Sequence, residues 1–532
     1  MSEASFTSNK YGPNLLVDGV FHEKRVVPSL GVSAVGGFLR SQGIEVDLFA
    51  PNIAYMSESE AADEILRRAP AFLGISLLTS HAYKSVKTLL SHLRQSGFHP
   101  FLCMGGHFAT LAYERVLTEN PEVDCVILGD GEEPCADLLR CLAAGDDSWR
   151  RSPGFASRRQ DGGIRFNGTR PAPGLDSRPM MALDFLEQLV GLYGTEVRVS
   201  LVSSRGCYAD CSYCSVRSYA RLTGIKPYRM RSIQLLVDEI DLIQGRYGVR
   251  NFAFEDDNFL VPGPAGIKRA KEFRDAIVSR GLSIRLFLQT RPECISHEAI
   301  ALLREVGLCD IFIGTESFDQ QTLDLYHRNN TVAQTEHAFE VFEAFGFSAR
   351  VDAERRVRIG SMIFHPYVTL DRLLVQVQFF RRYQIPSKKL IKHLFPVEDV
   401  DLCKRLEAEG LLTADGRYRF VHPEVQDVHR ELNIYFDRFM SIREQIRRIE
   451  KMVRLQRIDM DLAELRRARA AIEDNFIDVF EAVCRIGDRG VAVIRDTCEQ
   501  FARQLEHALN IEDLRRKVSA LLEEMRCFAV HD

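Results

Sequence analysis

The sequence predicts an α/β protein in three parts: an N-terminal doubly wound, Rossmann-like domain, then a partial (β/α)6 barrel, then a mainly helical C-terminal domain. Three observations predict it. Short apolar runs alternate with helical patterns from Asn14 to about Gly145, longer strand-helix units resume near Val197, and from about Pro423 the pattern is helical and highly charged. The 532 residues exceed one ordinary core, because domains of roughly 100 to 200 residues are usual and barrels run larger. The expected domains are 1–147, 191–400 and 401–532, with 148–190 as a linker.

In the first part LLVDGV leads into LGVSAVGGFLRSQG, VDLFA into SEAADEILRRA, FLGISLL into AYKSVKTLLSHLRQSG, FLCMGG into TLAYERVLTEN and DCVILG into EEPCADLLRCLAAG. Strands of this length joined by helices imply a parallel sheet covered on both faces, since parallel neighbours need crossover connections. The stretch RRSPGFASRRQDGGIRFNGTRPAPGLDSRP is rich in Gly, Pro and Arg and reads as a linker with at most a small hairpin at Asp161-Gly162-Gly163. VRVSLVSSRG, NFAFEDDNF, IRLFLQTRP, DIFIGTES and VRIGSMIFHP then give five strands, and a sixth is expected near KLIKHLF. Such units suit an open or incomplete barrel whose chemistry lies at the strand C-terminal ends. Beyond Pro423, Ile442, Ile446, Ile449 and Val453, then Leu455, Ile458, Leu462 and Leu465, recur at helical spacing. That is the core stripe of a helical cap or bundle; no heptad persists to make a coiled coil.

Apolar residues make up 45% and charged residues 27%, the composition of a soluble globular protein rather than a disordered or fibrous one. The N-terminus lacks the pattern of a secretory signal and no run of ~18 apolar residues occurs, so a cytoplasmic protein without a membrane span is expected. A net charge of -5 argues against nonspecific nucleic-acid binding. Thirteen cysteines in a reducing compartment are buried apolar residues, metal ligands or catalytic thiols rather than a disulfide framework. Cys294, Cys309, Cys484, Cys498 and Cys527 read as buried small apolar residues.

The stretch RGCYADCSYCSVRSYA places Cys207, Cys211 and Cys214 at C-x3-C-x2-C directly after a strand and an Arg-Gly turn. Structural zinc takes four ligands, commonly as two pairs. Cubane clusters are held by cysteine thiolates, so a trio leaves one iron open to a substrate or cofactor. With Tyr213 before the last cysteine, the sequence from about 195 to 400 resembles the radical S-adenosylmethionine superfamily. The resemblance implies a [4Fe-4S] cluster whose open iron chelates S-adenosylmethionine, and an external electron donor such as flavodoxin or ferredoxin. It implies cleavage to methionine and a 5'-deoxyadenosyl radical. By the same resemblance Cys207, Cys211 and Cys214 hold the cluster and Tyr213 lies near the adenine. Asp256 and Asp257 lie near the methionine amino group, although the common Gly-Gly-Glu version is absent. Gln289 and Arg291 end the third strand, the Arg suited to a carboxylate. Glu316 and Ser317 end the fourth, for ribose or amino contacts, and Phe364 and His365 tip the adenine-facing fifth. The bland alternatives are a helix N-cap region for Asp256 and Asp257, a surface residue for Arg291 and a satisfied loop residue for His365.

The N-terminal pattern LGVSAVGGFLRSQGIEVDLF, GISLLTS, CMGGHFAT and VILGDGEEP resembles the cobalamin-binding domain that precedes one radical subfamily. The resemblance implies cobalamin lined by Ser76, Leu77, Gly105, Gly106, Gly129, Asp130, Gly131 and Glu132, the glycines allowing close backbone approach. No histidine has a Gly three residues later, as Asp-x-His-x-x-Gly requires, which leaves cobalamin bound without a protein imidazole, with a degenerate, cofactor-free domain as the bland alternative. The implied function is methyl transfer to an unactivated carbon of a small-molecule, natural-product type of substrate. A rearrangement, cyclisation or ring contraction without methyl transfer is the enzymatic alternative. Methylthiolation expects a second compact cysteine trio, and Cys103, Cys125, Cys135 and Cys141 lie far apart in sequence. A zinc-stabilised interaction protein is the non-enzymatic alternative. Tyr435, Phe436, Phe439 and Met440 read as cap core, and no catalytic acid or base is assigned.

Overall fold

The computed structural model describes residues 12–21, 29–350, 352–397, 399–413, 415–455 and 461–528. It has two compact units: Met1–Thr290, Ser296–Ile311 and Val397–Asp401 in the first, and Arg291–Ile295, Phe312–Pro396 and Leu402–Asp532 in the second.

The first unit opens with β1 (Asn14–Asp18), β2 (Asp47–Phe49), β3 (Phe72–Ser76), β4 (Phe101–Gly105), β5 (Cys125–Ile127), β6 (Phe155–Arg158) and β7 (Ile164–Phe166). These form one sheet in the order β2-β1-β3-β4-β5-β6-β7. The first five strands are parallel and the last two antiparallel. Successive strand residues point to opposite faces, so Leu15, Val17, Leu73, Ile75, Leu102 and Met104 enter one core while Leu16, Phe72 and Cys103 enter the other. The segment expected as a linker does more than connect. Its hairpin forms, Phe155 and Ala156 are buried, and β6 covers the edge of β5. Helix Asp184–Tyr193 then adds Phe185 and Leu189 to the second core.

The same unit continues with β8 (Arg198–Leu201) and the antiparallel ribbon of β9 (Ser204–Gly206) and β10 (Tyr228–Met230). β11 (Asn251–Phe254) pairs in parallel with both β8 and β12 (Arg285–Thr290). β13 (Leu308–Glu316) begins in this unit and ends in the second, where it neighbours β14 (Arg356–Ser361). The sixth strand expected at KLIKHLF is reduced to one parallel bridge, Phe364 with His393. Pro386 and Pro396 bound that stretch, and proline cannot donate to a ladder.

The second unit is completed by helices Pro423–Leu455, Ala463–Ile486, Val491–Leu509 and Ile511–Phe528. Ile442, Ile446, Ile449 and Val453 are buried, as are Leu462 and Leu465; Ile458 and the side chain of Leu455 lie outside the described residues. Phe436 packs on Phe476 at 4.2 Å between ring centroids, and Tyr435 and Phe439 join the same cluster. Met440 is half-buried. Cys294, Cys484 and Cys498 are buried, Cys309 is only half-buried, and the side chain of Cys527 lies outside the described residues. Among the described residues no helix is long and apolar enough to cross a membrane.

Candidate active site

In the first sheet the order 2-1-3-4-5 reverses between β1 and β3, and ligands of such sheets bind beyond the strand C-terminal ends at that reversal. A cavity of about 300 Å³ lies there, lined among others by Ser76, Leu78, Gly105, Gly106, Gly129 and Tyr219. Gly106 has φ +98°, and a Cβ on it would fall 2.7 Å from the Leu77 carbonyl oxygen, so the turn after β4 admits only glycine without rearrangement. Asp130, Gly131 and Glu132 also line the cavity. Leu77 does not: it is buried, its N–H donates to the Gly105 carbonyl at 2.7 Å and its carbonyl accepts from Phe108. Strand alternation turns Leu77 into the core and its neighbour Leu78 into the cavity, which corrects the expectation.

Asp130 and Glu132 are not solitary acids. Arg229 grips Asp130 with two bonds of 2.9 and 3.1 Å, and Arg205 lies 2.7 Å from Glu132 and 3.1 Å from Asp130. Burial works against the charge on Asp130, but Arg205, Arg229 and Arg178 outweigh it and hold the carboxyl below its usual range. Arg205 and Arg229 sit opposite each other on the ribbon that leads into the cysteine loop. Sequence reasoning passed over both; Arg205 stands in the quoted cysteine stretch, but its partners lie 73 and 75 residues away in sequence.

Two further residues join this cavity to the cysteine loop. His107 Nε2 lies 2.8 Å from the hydroxyl of Ser215, the residue after Cys214, and its ring stacks on Tyr219 at 4.8 Å. Burial pushes the His107 imidazole down to about 4, so it is neutral. His107 and Tyr219 both line the cavity.

The cysteine loop starts at Gly206, which has φ +84°; a Cβ there would fall 1.9 Å from the Pro227 carbonyl oxygen. The Gly206 N–H donates to Asp257 Oδ2 at 3.1 Å, and the Cys214 N–H donates to the Cys211 carbonyl at 3.2 Å. Cys211 is buried, and Cys207, Tyr213 and Cys214 are half-buried. Burial pushes the Cys214 thiol up to about 12, with the Cys211 thiol, Asp257 and the Cys207 thiol acting in the same direction. A thiolate there therefore needs a cationic partner. This donor set fits an iron cluster, which spreads its ligands over several irons. Among the described residues no group of three His, Cys, Asp or Glu converges as for a single ion. The structure does bring Cys103, Cys125 and Cys135 to one buried face, though not as a metal site.

Asp256 and Asp257 divide their roles. Asp256 is fully buried and accepts from the Ser203 N–H at 2.7 Å, from the Ser203 hydroxyl and from the Ser204 hydroxyl at 2.9 Å. It ties β11 to the end of β8 and is not available to a ligand. Asp257 keeps an exposed edge, yet surrounding protein pushes its carboxyl up to about 6, with repulsion from Asp256 adding. Gln289 is half-buried at the end of β12, its carbonyl accepting from Phe259 at 3.0 Å.

In the second unit, Glu316 ends β13 with φ +60°, a strained conformation for a non-glycine residue. Its carboxylate lies 3.4 Å from Arg328 and beside the bare Cα positions of Gly314 and Gly360, where side chains would crowd it. Four expectations are corrected here. Ser317 is buried, its hydroxyl accepting from Gln376 at 3.0 Å and from the Asp319 N–H at 3.1 Å. Arg291 is buried and donates to Glu293 and to the Arg328 carbonyl. Phe364 is buried against Phe420, His429 and Phe480. His365 is buried between Thr322, 3.1 Å from Nε2, and the Tyr367 N–H, 3.3 Å from Nδ1. Ser317, Phe364 and His365 are engaged by helical residues, and Arg291 braces its own turn and the Arg328 loop.

Residues 20–139 match the family model described as the B12 binding domain, and residues 201–371 match that of the Radical SAM superfamily. The fold and site thus define a class: a cobalamin-binding domain joined to a radical S-adenosylmethionine domain. One chain thus carries a domain of the B12 binding family and a domain of the Radical SAM superfamily. It is 29% identical over 310 residues to the anaerobic magnesium-protoporphyrin IX monomethyl ester cyclase of Synechocystis sp., covering 56% of this chain and 59% of that one. It is 26% identical over 263 residues to the hopanoid C-3 methylase of Methylococcus capsulatus, covering 47% and 46%. The chain thus spans about half to three fifths of the length of these relatives. In fold it is similar to the cobalamin-dependent S-adenosylmethionine radical enzyme OxsB with aqua-cobalamin and S-adenosylmethionine bound, at TM-score 0.74 and 15% identity over 97% of this chain and 81% of that one.

Proposed function

We propose that the protein is a cobalamin-dependent radical S-adenosylmethionine methyltransferase acting on an unactivated carbon of a small molecule. One observation carries the reading: the helix that follows Cys214 forms part of the wall of the glycine-lined cavity, through Tyr219 and the His107–Ser215 contact. Two reactive sites that must cooperate are contiguous in one unit. Bound there, the cofactors supply one-electron cleavage of the sulfonium and a transferable methyl group. The chain's residues bind and orient. Cys207, Cys211 and Cys214 ligate iron. Gly206 fixes the loop's entry, and Asp257 and Gln289, in the same unit, offer polar contacts to S-adenosylmethionine, with Tyr213 beside the adenine.

The domain limits follow the same reading, with the hairpin and helix Asp184–Tyr193 assigned to the cobalamin-binding part. An external one-electron donor of the flavodoxin or ferredoxin class completes the system. The test is anaerobic reconstitution with iron, sulfide, hydroxocobalamin, S-adenosylmethionine and an excess of a low-potential reductant, which supplies the two electrons that bring Co(III) to the Co(I) state able to accept a methyl cation. A methylcobalamin absorption spectrum is expected, and its persistent absence sinks methyl transfer. The similarity to the cyclase favours a second reading, ring formation without methyl transfer. Product mass separates the two: a gain of one methylene unit, or none.

A further inference from the structure

The cavity has one strongly polar wall. Asp130 and Glu132 face Arg205 and Arg229, and Arg178, from the segment ahead of the barrel, completes the group. The Arg178 side chain is only 8% exposed, with Nη1 2.6 Å from Glu133, Nη2 3.8 Å from both Asp130 and Glu132, and its guanidinium 5.5 Å from the centre of the Phe38 ring. Three arginines thus meet three carboxylates, and the charge of Arg178 is compensated. Not all of its hydrogens are. Nη1 is engaged by Glu133, but Nε and Nη2 are buried and make no hydrogen bond, the Asp130 and Glu132 oxygens standing 3.8 Å from Nη2, beyond hydrogen-bond reach. Arg178 lines the cavity, so a charge-compensated guanidinium with unpartnered Nε and Nη2 donors borders a space whose other walls are largely glycine backbone and apolar side chains. A further anion would unbalance the six charges. A neutral acceptor would not.

We propose that Arg178 recognises the corrinoid by donating to the carboxamide oxygens at the rim of the corrin ring. The inference rests on the cobalamin reading above and adds the residue and the chemical group it reads. Lysine cannot substitute, because it offers a compact point charge in place of a planar fork.

The test uses the full-length protein under anaerobic conditions, titrated by absorbance with hydroxocobalamin and with cobinamide, which keeps the ring amides and lacks the phosphate and nucleotide. Wild type is expected to bind both. Arg178→Lys and Arg178→Gln should each raise Kd for both ligands by about tenfold or more, as expected for a lost buried donor pair. Arg40→Gln, whose guanidinium pairs with Asp184 outside the cavity lining, should leave both Kd values unchanged. Arg178→Lys retains the charge balance, so it carries the test if Arg178→Gln fails to fold, as thermal unfolding without corrinoid will report. Unchanged affinity in Arg178→Lys overturns the proposal. So does weakening confined to hydroxocobalamin, which would assign Arg178 to the phosphate. Failure of wild type to bind either corrinoid overturns the cobalamin reading and this inference with it.

Discussion

At Gly206 a single absent methyl group decides whether the cysteine loop can leave its strand. The backbone there is left-handed at φ +84°, and the Pro227 carbonyl occupies the space a Cβ would take. A non-glycine residue at such a φ costs on the order of 1–3 kcal/mol before any collision is counted. Gly206→Ala should therefore displace Cys207 and lower the iron bound after anaerobic reconstitution several-fold, with the far-UV circular dichroism largely kept. Equal iron in variant and wild type would show that the loop tolerates the shift. The cysteine spacing was readable in the sequence because all three ligands fall within one short loop. The separate roles of Asp256 and Asp257 were not. Adjacent carboxylates look alike until the Ser203 and Ser204 donors, more than fifty residues away in sequence, claim one of them.

At the scale of elements, helix Pro423–Leu455 is tied to helix Ala463–Ile486 by a buried charge. Arg443 is fully buried, with Nε 2.5 Å from Glu473 and Nη1 2.6 Å from Glu444. Glu473 also accepts from the Ser387 N–H at 2.7 Å and its hydroxyl at 2.5 Å, which fastens the turn before the shortened sixth strand to the bundle. Removing one partner of a buried pair strands the other, at a cost of about 3–5 kcal/mol. Glu473→Ala should lose stability of that order in denaturant unfolding; a loss below about 1 kcal/mol would mean that Glu444 alone suffices. Helical periodicity in the sequence revealed the apolar stripe of this bundle. It could not reveal that Phe364, at the end of a barrel strand, would pack against His429 and Phe480 of the bundle, since periodicity within one segment says nothing about what lies opposite.

For the whole molecule, buried neutral histidines set a limit on the acid side. Burial pushes His365 down to about 3, with Arg372 adding, and His429 down to about 4, with His393 adding. Both stay neutral when folded and gain a proton when unfolded below about pH 6.5. Stability from these two is therefore intact above that pH and falls as pH drops toward 4, by about 2 kcal/mol from each by pH 5. His365→Gln should flatten the dependence of unfolding free energy on pH between 7 and 5, and an unchanged slope would show that His365 is not held neutral. The sequence by itself determined the order of the parts and the chemistry available to them, because strand-helix alternation, glycine turns and the C-x3-C-x2-C spacing are all local. Only the tertiary structure decided which side chains face the cavity, that Arg178, Arg205 and Arg229 gather against Asp130 and Glu132, and that His365 and Ser317 turn inward. Those outcomes depend on hydrogen bonds and ion pairs between residues far apart in the chain, and no local pattern encodes them.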